Sequence, residues 1–463
     1  MSGYGAPMDP VVVAAVLRNQ RDIAQWQVSQ VVTRRHERYL TFLEVESERE
    51  ARAARTTVWL ALAAVDGRQG EASFTLGSGD GAEDLRTRLT EALVAARAAT
   101  APAWTLPEPH GDGVAAPDTF AGLATSEADG GAAVTAKLAT AGGLVDQAIA
   151  NDGAGALARQ AAVVAAAVTA APWVRPSTLE LFATVSDRRL INHQGLDLHE
   201  RRTSCYAEFV LLYRPAPDKP EVEVYDRVEA SSLADLRLGE RIAEAAAGVK
   251  ALSSAEAPPT GTLPVLLRDD DVASLLGWYA THADAALHAR GINALQLGQA
   301  VVQRRRGDVL DIAVDARVPS LAAYRFDEHG YAASHQALVL HDTLTCLHGS
   351  GRWMQVLGRP PRGQRGTLLI PPGSLPLADL RKDCLEIVRF SEFHPRQDNG
   401  AFSGEIRLAW WHRADGTTVA VRGGSVSGTL ATALATSRCC REVATIGGYH
   451  GPRGLLIEAT VTA

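Results

Sequence analysis

Thirteen histidines, five cysteines and an excess of acids over bases are the groups here that could hold a metal or move a proton. Zinc hydrolysis needs three protein ligands, an open position and a base. His36-Glu37 and His199-Glu200 each begin the string that sets two imidazoles on one helix face, but Leu40 and Thr203 stand where the second His belongs. His341, Cys346 and His348 are a second ligand set, although a hairpin explains the same residues: seven positions in a strand pair place the two His on opposite faces or across a turn. Cys439, Cys440 and His450 are a third. Asp327-Glu328, ahead of Gly330, suits either acid–base work or an exposed turn. The break at 152–155 fits a helix–helix turn or, with less support, a phosphate seat at a helix start. The run Asn399-Gly400-Ala401-Phe402-Ser403-Gly404 reads as a polar, glycine-flanked loop, the kind that brings backbone N–H and C=O groups up to a ligand.

The elements that must position these groups follow from periodicity and punctuation. Residues 385–390, 404–411 and 417–422 alternate like strands, with the tight-turn signal Asp415-Gly416 before the third. Earlier strands fall at 26–33, 39–45, 56–65, 71–76, 178–185, 189–192 and 204–213. Residues 9–18 suit a short helix, with Asp9-Pro10 as cap and first turn. Leu85, Leu89, Ala92, Leu93 and Ala96 recur at helical spacing over 82–99. The Ala-rich stretch 120–171 reads as mostly helix, with segments at 138–151 and 156–169, and 232–247 as a further helix. Residues 269–291 form one amphipathic helix, opened by Asp269, Asp270 and Asp271 and stopped by Gly291; on its surface His288 can pair with Asp284. A closing strand takes 455–461. Proline-rich 102–117 is a linker, or else a strap across a neighbour, and 253–264 is a second linker.

A chain of 463 residues exceeds one compact core. The expected architecture is α+β in three parts: an N-terminal α/β domain over 1–101, a helix-rich middle domain over 118–220, and a mainly antiparallel β domain with an amphipathic helix over 221–463. The net charge of −7 argues against a nucleic-acid partner. The five cysteines form no regular framework, and adjacent Cys439 and Cys440 make a poor disulfide, which fits a reducing cytoplasm. The N-terminus shows no signal peptide, and no apolar run reaches membrane-spanning length.

The series Asn-Gly-Ala-Phe-Ser-Gly (399–404), strand, Ala-Asp-Gly (414–416), strand and Gly-Gly-Ser-Val-Ser-Gly (423–428) resembles the C-terminal domain of the TldD/PmbA family of metallopeptidases and their metal-free partner subunits. The Asp66-Gly67-Arg68 step between strands, the Asn192-x-x-Gly195-Leu196 turn, 294–302 and Phe326-Asp327-x-x-Gly330 carry further resemblance. In the catalytic branch the helix that corresponds to 269–291 bears His-Glu-x-x-x-His, in which two His ligate zinc and Glu activates water, and a Cys near the C-terminus adds a ligand. Aligned on Leu275-Leu276, this chain offers Gly277, Trp278 and His282 at those positions. Glycine has no side-chain donor and an indole is no base; His282 alone matches, and it also suits a bond to a backbone carbonyl. The surroundings of Cys439 and Cys440 do not match the family's ligating Cys.

The resemblance therefore implies a TldE-like subunit with no catalytic or metal-ligating residue of its own. It implies a TldD-like partner that carries zinc, and a heterodimer whose groove takes an extended peptide or peptide-like substrate. Asn399, Phe402, Ser403 and Gly404 are the expected substrate contacts. Two alternatives stand beside this one. The chain could act alone as a divergent metallohydrolase through His341, Cys346 and His348 or through the C-terminal Cys cluster. Or the pair could tailor a natural-product intermediate by amide hydrolysis.

Overall fold

The computed structural model describes residues 7–109 and 143–463. Helix α1 (Pro10–Arg18) starts where Asp9 accepts from the Val11 N–H at 2.8 Å, and Pro10 takes the first turn, where its missing N–H costs nothing. Seven strands follow: β1 (Ile23–Thr41), β2 (Glu44–Leu62), β3 (Arg68–Gly77), β4 (Thr100–Pro102), β5 (Arg175–Asn192), β6 (Asp197–Tyr213) and β7 (Val222–Ala230). They make one sheet in the order β4-β3-β2-β1-β5-β6-β7. Helices α1 and α2 (Ala82–Ala98) bury their apolar stripes on β1–β3, around Val28, Val58 and Leu60. Helices α3 (Gln147–Asn151), α4 (Gly153–Thr169) and α5 (Leu238–Leu252) cover the other half, around Leu181, Phe209 and Ile242.

This sheet redraws the expected boundaries. Strand β1 pairs along its length with β5, so segments assigned to separate N-terminal and middle domains share one ladder. Strand β7 and helix α5, placed with the C-terminal domain, belong to it as well. The described part of the middle segment holds two long strands beside its helices, within an α+β chain; residues 138–142 of the expected 138–151 helix lie outside the described residues. Two pairs of short strands are single long ones. Residues 34–38, read as a gap, continue β1, and Ser186, Asp187 and Arg188 continue β5. The described residues of 102–117 behave as the strap: Trp104 and Leu106 are buried, Trp104 lies 4.8 Å from Trp59, and the Pro107 carbonyl accepts from Asn192.

The remaining chain contributes β8 (Gly261–Arg268), β9 (Ile312–Asp315), β10 (His335–Leu340), β11 (Thr343–Leu344), β12 (Thr367–Leu369), β13 (Cys384–Pro395), β14 (Ala401–His412), β15 (Thr418–Val421), β16 (Ser425–Thr429), β17 (Arg438–Cys439), β18 (Val443–Ile446), β19 (Tyr449–Pro452) and β20 (Gly454–Thr462). One sheet runs β11-β10-β9-β12-β19-β18. In the other, β13-β8-β20-β16-β14 closes on itself, because β14 pairs back with β13; β15 and β17 extend it. The closed ring and the second sheet enclose a common core that includes Val265, Leu275, Tyr279, Ile387, Phe402 and Val461. Residues 253–260 connect to this ring and bridge it at Glu256 and Val421.

Helix α6 (Asp269–His282) lies against that core with Val272, Leu275, Leu276 and Tyr279 buried. The expected helix over 269–291 is two helices. Asp284 accepts from the Ala286 N–H and caps α7 (Ala285–Arg290), and His288 turns back to the His282 carbonyl at 2.9 Å. The expected Asp284–His288 surface pair is therefore replaced by a helix break. Among the described residues no helix is long and apolar enough to cross a membrane.

Candidate functional site

Gly277, Trp278 and His282 sit on the buried side of α6. The Trp278 Nε1–H donates to the Arg396 carbonyl at 3.0 Å, and its ring lies 4.2 Å from the His282 imidazole. The Ala294 N–H donates to His282 Nδ1 at 2.9 Å, while Nε2 is turned toward the Gln397 carbonyl without closing a hydrogen bond. Burial holds His282 below its ordinary pKa, so it packs as a neutral ring. A Cβ at Gly277 would lie 3.4 Å from Arg365 Nη2. Positions 278 and 282 thus clasp the turn at 396–400. Trp278→Phe keeps the packing and removes one buried donor, so a loss of about 1 kcal/mol in urea unfolding is expected, with faster amide exchange in the turn.

The rival ligand sets are not assembled. His341 projects from a turn, 83% exposed, whereas His348 is buried and bonds through Nε2 to the Ala280 carbonyl at 2.7 Å. Burial lowers the basicity of His348 and raises the pKa of the Cys346 thiol. His450 bonds Thr445, and Cys440 takes the Gly454 N–H and faces the Glu442 carbonyl. Among the described residues no three His, Cys, Asp or Glu side chains are grouped to hold a metal ion. Asp327 is a turn residue: its Oδ1 accepts from the His329 and Tyr331 N–H groups, although burial pushes its carboxyl up to about 6. Asp152 caps α4 by accepting from the Gly155 N–H, which makes that break a plain turn.

The expected loop 399–404 is mostly strand. Strand β13 runs on to Pro395 and β14 starts at Ala401, which leaves a turn of 396–400. Asn399 accepts from the Ala401 N–H and braces that turn. Phe402 is 3% exposed and stacks edge-on against Phe393 inside the ring, so its side chain is unavailable to a ligand. Gly404 is also buried, beneath Phe390, where a Cβ would fall 2.6 Å from that ring. Ser403 is exposed and pairs across the ladder with His394.

His394 borders a concavity of about 870 Å³. One wall is residues 388–394 of β13. Opposite lie β7 and α5 of the first sheet, and at the end lie Asp269, Asp270, Asp271 and Ser274 of α6. Strand β13 pairs with β8 only at Leu385 and Glu386; beyond that point no described strand occupies its second edge. Ser274 and Trp278 cover the far end through the Phe393 and Arg396 carbonyls. Residues 388–392 thus border the groove along that open edge. Register shifts near Val388 and at Ser391-Glu392 interrupt them, so the edge suits only a short extended segment.

Charge is distributed unevenly around this groove. Asp226 pairs with Arg389 at 2.8 Å and Arg241 at 3.2 Å, and Asp269 with Arg453 at 3.0 Å. Asp271, Glu229 and Glu392 have no hydrogen-bond or ion-pair partner through their carboxylates among the described residues. The sequence offered one sign of this. A helix start needs one capping acid, and this one has three in a row. Nothing in it announced that β7 would face β13.

This architecture has relatives. Residues 260–463 match the family model for the PmbA/TldA metallopeptidase C-terminal domain, so that the region is a metallopeptidase-type domain. Residues 260–463 belong to that domain family. Among solved structures it resembles a candidate modulator of DNA gyrase from Bacteroides thetaiotaomicron (TM-score 0.74, 15% identity, 98% of this chain and 97% of that one). It also resembles a candidate modulator of a DNA gyrase from Thermotoga maritima (0.73, 16%, 98% and 99%) and TldE from Thermococcus kodakarensis (0.71, 13%, 97% and 99%). At these identities the likeness is one of fold. Among curated proteins none matches.

Proposed function

We propose that this chain is the metal-free, TldE-like subunit of a heterodimeric zinc metallopeptidase, and that it shapes the groove for an extended peptide or peptide-like substrate. The observation that carries the reading is the use made of α6. At the positions aligned with the family's zinc ligands and base, this chain has Gly277 beside Arg365 and a Trp278–His282 clasp on a hairpin turn. Such a helix can hold a wall in place but cannot turn water into a nucleophile unaided. Zinc belongs to the partner in this account.

The open edge of 388–392 supports a role in substrate binding, since an extended segment can satisfy main-chain groups there. Ser403, which pairs with the lining residue His394, and exposed Asn399 remain candidate contacts although neither lines the groove itself; Phe402 and Gly404 serve through the backbone and core. The test is co-expression with a TldD-like protein that carries His-Glu-x-x-x-His. A stable one-to-one complex with cleavage absent from either subunit alone is expected. Ser403→Ala and Asn399→Ala should each slow that cleavage several-fold, by about 1 kcal/mol of lost binding. Unchanged rates in both would remove these two residues from the substrate path.

A further inference from the structure

The search for unused chemistry ends at the inner end of the groove. Three acids open α6 there, and their situations differ. Asp269 is neutralised by Arg453 and Arg268, which hold its carboxyl below the usual range against the pull of burial. Asp270 has Arg241 at 3.9 Å, a distant partner that Asp226 holds more closely. Asp271 has none among the described residues, and its carboxyl lines the cavity. The cations that face it are already engaged: Arg389 and Arg241 with Asp226, and Arg268 with Glu386, Glu244 and Asp269. From β13, Glu392 adds a further unpaired acid and His394 sits beside Ser274.

We propose that this end of the groove is a cation subsite. It takes the ammonium or guanidinium of a basic residue in an extended peptide, against the carboxylates of Asp271 and Asp270, while the peptide's main chain lies along 388–392. The inference rests on the reading of the groove as a peptide site and adds the charge of the residue it selects. Geometry supports it in two ways. The free strand edge and the N-terminus of α6 line the same cavity, and the acids that stand without partners, Asp271, Glu229 and Glu392, line it with them. Elsewhere in the lining, Arg227 has no ion pair among the described residues, but it lies on β7 rather than on β13 or α6. Burial first, then the neighbouring Asp270, pushes the Asp271 carboxyl up to about 8, with Arg389 opposing. A carboxyl kept in so unfavourable a place is a functional-site candidate. An incoming cation restores its ionised form, so binding near neutral pH displaces a proton from Asp271 to the buffer.

The experiment is calorimetric titration of the full chain, and of its complex with the partner, with three capped tetrapeptides: Ala-Ala-Lys-Ala, Ala-Ala-Gln-Ala and Ala-Ala-Glu-Ala. The expected result is that the Lys peptide binds about tenfold more tightly than the Gln peptide, as one charge-assisted contact allows, and that the Glu peptide is weakest. The Lys peptide's enthalpy should vary with the ionisation enthalpy of the buffer at pH 7, which reports proton release. Asp271→Asn should bring Lys and Gln within about twofold and abolish the release, while Asp271→Glu should retain both. Equal binding of all three peptides, unaltered by Asp271→Asn, would overturn the cation subsite and leave the peptide groove standing. No binding of any peptide to chain or complex would overturn the groove, and the subsite with it.

Discussion

Phe402→Ala is expected to destabilise the chain by about 3–5 kcal/mol, the range for removing a buried aromatic ring. The ring is 3% exposed, meets Phe393 edge-on at 5.7 Å and fills the space above Gly428, where a Cβ would come within 2.7 Å of it. Little room exists for neighbours to collapse inward, because Gly428 and Phe402 are paired across β14 and β16 in the closed ring. Urea unfolding read by tryptophan fluorescence measures the loss. A change below about 1 kcal/mol, with loss of partner-stimulated cleavage, would instead make Phe402 a substrate contact.

Asp271→Asn is expected to act in the opposite direction, and only at higher pH. The folded-state pKa of Asp271 lies above its unfolded value, at about 8. At low pH the carboxyl is protonated in both states and the variant matches the parent. As pH rises from the unfolded pKa toward 8 the parent loses stability, since ionisation is easy in the unfolded chain and opposed in the folded one. At pH 9 the variant should be more stable by about 2 kcal/mol, well short of the full conversion of the shift, because the carboxyl faces an open cavity. Thermal unfolding of both proteins at pH 5 and pH 9 checks the sign. Equal melting at both would mean that Asp271 is paired in solution. A stability gain joined to a binding loss would mark the trade expected of a residue placed for a ligand.

How much of this was legible in the chain depends on the range of the interactions. Local signals held well. Asp9-Pro10 started a helix, Asp415-Gly416 made its turn, and the apolar stripe of 272–279 faced a core. The resemblance of the C-terminal region was legible from spaced loop motifs, and the family match over 260–463 agrees with it. Misreadings came where one residue's surroundings were set from afar. Residues 34–38 look like a polar gap, yet they lie between β2 and β5 in a sheet whose faces accept Arg and Glu. Asp284 looked like the partner of His288 because periodicity cannot show a helix restarting at its own cap. Residues 399–404 looked like a loop because Asn, Gly and Ser are turn residues, but pairing to β13 and β16 makes 401–404 strand. The groove could not be seen at all. It needs β7 and β13, more than 150 residues apart in the chain, to face one another.

The account turns on where the metal and the attacking water reside, and metal analysis paired with a cleavage assay tests that directly. The chain purified alone, after dialysis against zinc, should retain far less than one equivalent and hydrolyse no peptide. Adding a TldD-like partner should bring about one zinc per heterodimer and cleavage that a chelator stops. One tightly held zinc in the isolated chain, with chelator-sensitive turnover and no partner present, would contradict it.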